Sequence, residues 1–351
     1  MQILIEIVHP ADVLFFLRPI RLLEARGHSV DVVSRDKDVT CDLLDGFGIG
    51  HTPISRQGSG LVGLGLELLR RDAVLVRRFL RNRPAVTLGF GGVAVSHASR
   101  LLGIPSLVVY DSENASLQTR LAYPFLTHLM VPEDYAGRVP GGRTERVPGI
   151  KELSYFHPEA FRPDRDAALA AGLDPDRGNV FLRTVKWAAN HDLGKAGWTE
   201  EQAAALVAAL APRAKLHVSA EIEPPAPLRP HVWRGDPRMA HHLLAHCDVY
   251  VGESATMACE AATLGVPAIY AGVDLPGYVA GMDRRGLVRW IPPGRRSELV
   301  PTARALLEDS GGFRTRRSAW LSRVPDWADV LADRAEALAD RASVAAAAGS
   351  G

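Results

Sequence analysis

Short β-branched runs alternate with helix-length amphipathic segments along this chain, and that alternation restricts it to parallel sheets covered by helices on both faces. Gln2 to Val8 reads as a strand, Val13 to Ala25 has helical spacing ending at Gly27, and Ser29 to Ser34 completes a βαβ unit. Ile49 to Ile54 and Ala85 to Leu88 predict further strands, with a long helix from Leu61 to Asn82 between them. Val93 to Leu102 reads as helix, Gly103-Ile104-Pro105 stops it, and Ser106 to Tyr110 is a fifth strand.

From Val139 to Pro163 the pattern gives way to Pro, Gly and mixed charge, including Pro140-Gly141-Gly142 and Pro148-Gly149, which predicts an interdomain linker. Alternation then restarts, with strands at Val180 to Arg183, Lys215 to Ser219, Asp248 to Val251 and Ala268 to Tyr270. Helices at Glu200 to Ala211, Met239 to His246 and Thr256 to Leu264 separate them. A chain of 351 residues suits two domains of roughly 150 residues each. The expected fold is therefore α/β: two doubly wound, Rossmann-like parallel-sheet domains with the active cleft between them. The expected boundaries are 1–150, 151–312, a helical region 313–344 packing across both domains, and a disordered tail 345–351.

Charge excludes some partners. Lys plus Arg number 41 against 40 for Asp plus Glu, a net +1, so no global field draws nucleic acid and any polyanion contact must be local. Cys41, Cys247 and Cys259 have neither metal-binding spacing nor an even count, which fits a reducing cytoplasm without a disulfide framework. The apolar run Ile3 to Val8 is only a strand long, so neither a signal peptide nor a spanning helix is expected.

The segment Gly252 to Pro267 carries the clearest chemistry. It starts where a strand ends and a helix begins, so the first amides near Ser254, Ala255 and Thr256 and the positive helix end favour a diphosphate. Glu260 lies six residues beyond Ser254, about 9 Å along the helix, which suits a carboxylate accepting hydrogen bonds from ribose hydroxyls. A charge in an otherwise apolar helix needs a partner, although Ala261, Leu264 and Val266 simply pack. Arg183 at the end of a strand, with Lys186, Trp187 and His191 after it, supplies candidate phosphate clamps. Asp274, Tyr278 and Asp283 are candidates for the sugar.

In the first half, Gly89-Phe90-Gly91-Gly92 joins a strand to a helix, and its glycines permit close backbone approach and expose N–H groups at the helix start. His9 and Asp12 end the first strand, and either serves as the base that takes an acceptor's proton, with helix capping by His9 as the competing role. Asp111 and Glu113 form a carboxylate pair able to move protons. The Leu61 to Asn82 helix carries Arg70, Arg71, Arg77, Arg78 and Arg81 among Leu and Val. The preferred reading is a core-facing apolar stripe with a solvated arginine face, and the competing one is a surface that meets a membrane.

Read as MAHHLLAHCDVYVGESATMACEAATLGVPA, residues 239–268 resemble the corresponding stretch of the GT-B glycosyltransferase that forms lipid II by transferring N-acetylglucosamine. They are also similar to the SGG and EEA…LGVP segment of UDP-N-acetylglucosamine 2-epimerase, with Ala255 and Thr256 in place of two glycines. This resemblance implies that Glu260 is the ribose-binding glutamate. It also implies that Gly89 to Gly92, Leu102 to Pro105 and Tyr110 to Asn114 face the acceptor, and that Asp111 and Glu113 sit near the epimerase's acids. The opening Ile5 to Phe16, of the form IDIxHPxxVxFF with Glu6 and Ile7 at its second and third places, looks like an uncharacterised family of predicted glycosyltransferases. GHSVDVVSRD at 27–36 and RTVKWAANH at 183–191 strengthen that likeness.

The expected function is transfer of a sugar from a nucleoside diphosphate donor, UDP-linked, to an acceptor that includes lipid-linked phosphates at the inner membrane surface. No cofactor or metal is expected, because helix amides and cations neutralise the leaving diphosphate. The alternatives are an epimerase or hydrolase acting through Asp111 and Glu113, and a nucleotide-sugar-binding protein without turnover.

Overall fold

Strand pairing among the described residues is parallel, as chain-separated strands joined by helices must be. The computed structural model describes residues 1–185, 197–308 and 311–348. The chain forms two compact units, Met1–Tyr155 with Pro325–Gly351, and Phe156–Val324.

Unit 1 runs β1 (Gln2–Ile7), α1 (Pro10–Ala25), β2 (Ser29–Asp36), α2 (Thr40–Gly46), β3 (Thr52–Arg56), α3 (Gly60–Arg81), β4 (Val86–Phe90), α4 (Val93–Leu102), β5 (Ser106–Val109), α5 (Ser116–Ala122), β6 (His128–Pro132), β7 (Thr144–Val147) and the short α6 (Leu153–Phe156) at its boundary. Its sheet order is β3-β2-β1-β4-β5-β6-β7. The chain moves one way from β1 to β3 and the other way from β4 to β7, so right-handed crossovers put α1 and α2 on one face and α3, α4 and α5 on the other. Leu4, Val33, Leu75, Phe79, Ala94 and Val95 fill the core under that second layer.

Unit 2 runs α7 (Arg165–Ala170), β8 (Gly178–Thr184), α8 (Glu200–Leu210), β9 (Ala214–Ala220), α9 (Ala240–Leu244), β10 (Val249–Gly252), α10 (Ala255–Leu264), β11 (Ala268–Tyr270), α11 (Gly277–Arg284), β12 (Val288–Trp290), a 3-10 segment (Pro293–Glu298), α12 (Leu299–Glu308) and α13 (Gly311–Leu321). The order β12-β11-β10-β8-β9 again reverses direction, here between β8 and β10. Each sheet thus has a switch point, between β1 and β4 and between β8 and β10, where diverging connections open a crevice beyond the carboxyl ends of the strands.

The fold class agrees with the sequence reading, and the elements differ in three places. β7 lies inside the expected linker; it is a polar edge strand, with Thr144 and Glu145 half-buried, so it lacks the apolar pattern that marks an inner strand. The expected C-terminal helical region is two helices, α13 in unit 2 and α14 (Trp327–Ala348) in unit 1. Pro325 cannot continue a helix, and the Asp326 carboxylate accepts from Ala328 N at 2.9 Å to start the next one. α14 is fixed to unit 1 where Trp327 Nε1 donates to Pro148 O at 2.9 Å and Arg334 reaches Glu145 at 2.7 and 2.8 Å. Residues 345–348, expected to be disordered, are its last turn.

The third difference is α3. Its buried residues are Glu67, Arg71, Leu75 and Phe79, so the first half of the inward face is charged. Leucines at the same end face solvent, so the expected apolar core stripe holds only in the second half, through Leu75 and Phe79, while Arg70, Arg77 and Arg81 are exposed as expected.

Candidate functional site

At the switch point of unit 2, β10 delivers Gly252-Glu253 to the start of α10. Ser254 caps this helix, its Oγ accepting from Met257 N at 3.2 Å, and Gly265 ends it in the left-handed region at φ +107. The cap uses one amide and leaves Ala255 and Thr256 among the first-turn donors that have no acceptor within the helix. Tyr250 OH donates to Ser254 O at 3.2 Å and holds the turn. Gly252 is required there, because a Cβ would lie 2.2 Å from the Tyr250 hydroxyl and 2.8 Å from Arg183 Cβ.

Glu260 is 5% exposed on α10, and its Oε2 meets His241 Nε2 at 3.1 Å. The imidazole packs against Phe156 with ring centroids 4.5 Å apart and the planes tilted by 56°, which restricts the orientation of the pair. The expected ribose carboxylate is therefore enclosed and oriented rather than loose in water. Glu253 is buried immediately before the cap, and its Oε2 accepts from Val185 N at 3.3 Å, tying the end of β8 to the end of β10.

The other donor-side residues divide. Arg183 stands at the carboxyl edge as expected, but its guanidinium donates to Ser219 Oγ and to Glu221 Oε1, both at 2.6 Å. Asp274 follows β11 at the same edge and Tyr278 is buried in α11, while Asp283 is occupied in accepting from Trp290 N at 3.0 Å. Lys186, Trp187 and His191 lie outside the described residues.

Arg296 was invisible in the sequence, where it is one arginine in a polar turn. Burial lowers its pKa, opposed by the charges of Glu253 and Tyr270. Its Nη1 is buried and finds no hydrogen-bond acceptor among the described residues. A buried cation with a donor to spare thus lies within the electrostatic influence of Glu253, the acid that precedes the α10 cap.

At the switch point of unit 1, His9 and Asp12 form a reciprocal cap on α1. His9 Nδ1 accepts from Ala11 N at 3.2 Å, and Asp12 Oδ2 accepts from His9 N at 2.9 Å and Val8 N at 3.1 Å. Crowding by surrounding protein, with Lys37 next and Lys151 and Arg35 adding, lowers the His9 pKa to about 4, even though part of the residue stays in solvent. A neutral imidazole whose Nδ1 accepts carries its proton on Nε2, so His9 offers a donor outward. Of the two roles read for His9, the structure shows the cap, in which its accepting nitrogen is committed to the helix.

Asp12 has the opposite character. Burial raises its pKa to about 7, the Val8 and His9 amides and Lys151 pulling down and Asp111 pushing up. Asp111 bonds Lys151 Nζ at 2.5 Å, and Lys151 also meets Glu152 at 3.1 Å and lies 5.8 Å from the centre of the Phe90 ring. Lys151 and Glu152 are buried members of this cluster that sequence reasoning placed in a linker. Glu113 does not join Asp111; its Oε1 accepts from Ala136 N at 3.0 Å, and it lines an open cavity of about 760 Å³ with Tyr123, Tyr135, Arg120 and Arg138. Asn114, next in the same loop, is exposed.

The glycine loop does not serve as expected. Gly91 and Gly92 have φ of +67 and +43, which only glycine adopts without strain, but a Cβ on Gly91 would meet Gln118 Nε2 at 2.0 Å. Gly89 is closed off by Gly92 and Val95, each 3.0 Å from where its Cβ would be. One α4 amide is also engaged: Val95 N donates to Glu6 Oε2 at 3.2 Å, and Arg71 backs Glu6 at 3.1 Å. Gly89, Gly91 and Gly92 therefore serve internal packing, and a carboxylate of the protein takes the third amide of this helix.

Two doubly wound parallel-sheet domains of this kind give the chain the GT-B fold. Residues 1–143 match the model of a family described as a protein of unknown function, DUF354, which bears out the likeness read from the opening of the chain. Among solved structures, the chain is similar to UDP-GlcNAc 2-epimerase from Neisseria meningitidis bound to UDP-GlcNAc, with TM-score 0.69 and 13% identity, covering 93% of this chain and 95% of that one. Spinosyn forosaminyltransferase SpnP is similar at TM-score 0.67 and 14% identity, over 97% of this chain and 99% of that one. Spinosyn rhamnosyltransferase SpnG complexed with thymidine diphosphate is similar at TM-score 0.59 and 14% identity, over 94% and 99%. At these identities the likeness is one of fold. No curated protein matches the sequence.

Proposed function

We propose that the protein transfers a sugar from a nucleoside diphosphate donor, UDP-linked in the first instance, to a nucleophilic acceptor. In this reading the diphosphate rests on the Ala255 and Thr256 amides with Arg296 as counter-charge, and Glu260 accepts hydrogen bonds from the ribose hydroxyls. A general base takes the acceptor's proton as the bond from sugar to diphosphate breaks, and the diphosphate leaves with the negative charge. Amides and Arg296 stabilise that charge without a metal. The observation that carries the reading is Glu260: a carboxylate 5% exposed, oriented by His241, on the helix whose capped start lies at the switch point.

A second reading, epimerisation or hydrolysis of the donor alone, is favoured by the Asp12, Asp111 and Lys151 cluster, where a carboxyl titrating near 7 stands within the influence of an acid and a cation. The test is turnover of a panel of nucleotide sugars, with and without soluble sugars or lipid-linked phosphates as acceptors. Transfer that needs an acceptor supports the first reading, and product from donor alone supports the second. Tight binding without turnover under either condition contradicts both and leaves a binding protein.

A further inference from the structure

We propose that the outer face of α3 docks the protein on a bilayer surface rich in anionic lipid. The observation is independent of the sugar-transfer reading. A surface helix ordinarily turns its leucines to the core and its charges to water. In the first half of α3 the arrangement is reversed. Glu67 points inward, bonded to Arg35 through both carboxylate oxygens at 2.6 Å, to Ser55 at 2.9 Å and to Gly58 N at 3.0 Å. Arg71 points inward to Glu6. Leu61, Val62, Leu66 and Leu69 point outward and are between 64% and 79% exposed.

The outward set is one stripe rather than scatter. Positions 62, 66, 69 and 73 follow the three- and four-residue steps of a helix face, and the exposed Ala73 leads on to Leu80, 69% exposed. Arg70, Arg77 and Arg81 are exposed along it and are bonded to no described residue, whereas Arg71 and Arg78 are paired with Glu6 and Asp31. The helix has two acids, and both are engaged away from this face: Glu67 inside and Asp72 with His97 Nδ1 at 2.9 Å. The stripe therefore carries three positive charges and no negative one on a chain whose net charge is only +1.

That charge pattern decides between occupants. A second copy docking by the same face would set arginines against arginines. Anionic headgroups complement them, and the leucines enter the acyl boundary as the apolar face of an interfacial helix does. The 22 residues of α3 lie along the surface for about 33 Å. α4 packs beside α3 and α5 beside α4, and they expose Leu101 and Leu117 at 71% and 62%, so the apolar character extends over the layer.

The full chain is sedimented with sucrose-loaded vesicles of phosphatidylcholine alone, or with added phosphatidylglycerol, at low and high salt. Binding is expected on the anionic vesicles, weakened by salt and at least tenfold weaker on phosphatidylcholine. Arg70→Gln with Arg77→Gln should weaken it about fivefold for each arginine. Leu66→Glu with Leu69→Glu should weaken it at least tenfold without changing the circular dichroism melting curve, since these side chains face solvent. Failure to bind anionic vesicles at low salt overturns the proposal, as does binding that neither double variant alters. A vesicle-free dimer that Leu66→Glu with Leu69→Glu dissociates would assign the face to a second copy and also overturn it.

Discussion

Replacing Asp12 with Asn separates the carboxyl's charge from its hydrogen bonds. Asp12 is 4% exposed, and burial raises its pKa from 3.8 to about 7. A folded pKa above the unfolded one means that the folded chain holds the proton more tightly, so the associated stability is complete below pH 3.8 and is lost as pH rises to about 7. At 1.36 kcal/mol per pH unit, that interval is worth about 4 kcal/mol, a large part of the roughly 5–15 kcal/mol by which domains are stable. Asn retains an oxygen to accept from Val8 N and His9 N but cannot ionise. Urea unfolding of both proteins at pH 5 and pH 8 should therefore show the wild type losing about 3 kcal/mol relative to Asp12→Asn across that range. Above pH 7 the two curves should run parallel. If the difference between them is the same at both pH values, Asp12 is already ionised at pH 5, and the argument for it as a base with a pKa near neutrality fails. If it is the base, turnover should rise through pH 7 in the wild type and fall on the order of a hundredfold in Asp12→Asn.

Glu260→Ala should weaken binding of a nucleoside diphosphate roughly 10- to 100-fold in calorimetry, the worth of hydrogen bonds to a charged group, and should weaken inorganic pyrophosphate little. Arg296→Met should weaken pyrophosphate as well, by about tenfold, which equal affinities in the same titration would refute. Arg71→Met leaves Glu6 and Glu67 without a shared cation and should cost about 3–5 kcal/mol in urea unfolding, where a change below about 1 kcal/mol would remove the buried pair from the account. Chelation with EDTA should leave donor binding unchanged in a thermal-shift titration, and loss of the shift would require a metal.

What the sequence made legible follows from what is local in it. The segment from Gly252 to Pro267 shows its helix start, its glycine end and the one acid within its helix in sixteen residues, because capping and helix periodicity are short-range. The role of His9 was open, because the same dipeptide neighbourhood serves a base or a cap until the Nδ1 bond to Ala11 is seen. Lys151 was hidden in a Pro- and Gly-rich stretch, since its partner Asp111 is 40 positions away and only the sheet brings them together. Glu6 within β1 looks like any strand residue, yet it takes the α4 amide that a ligand was expected to use, 89 positions along the chain. For α3 the pattern identified the inward Leu75 and Phe79 but not the inward Glu67 and Arg71, whose burial depends on Glu6, Arg35 and Ser55 from other parts of the chain.

The most direct measurement is the structure of the protein crystallised with UDP. The account predicts the pyrophosphate on the Ala255 and Thr256 amides, within reach of Arg296, and both ribose hydroxyls donating to Glu260 while His241 keeps its bond to the other side of that carboxylate. UDP bound elsewhere, or a filled α10 site in which Glu260 touches no part of the nucleotide, would contradict it.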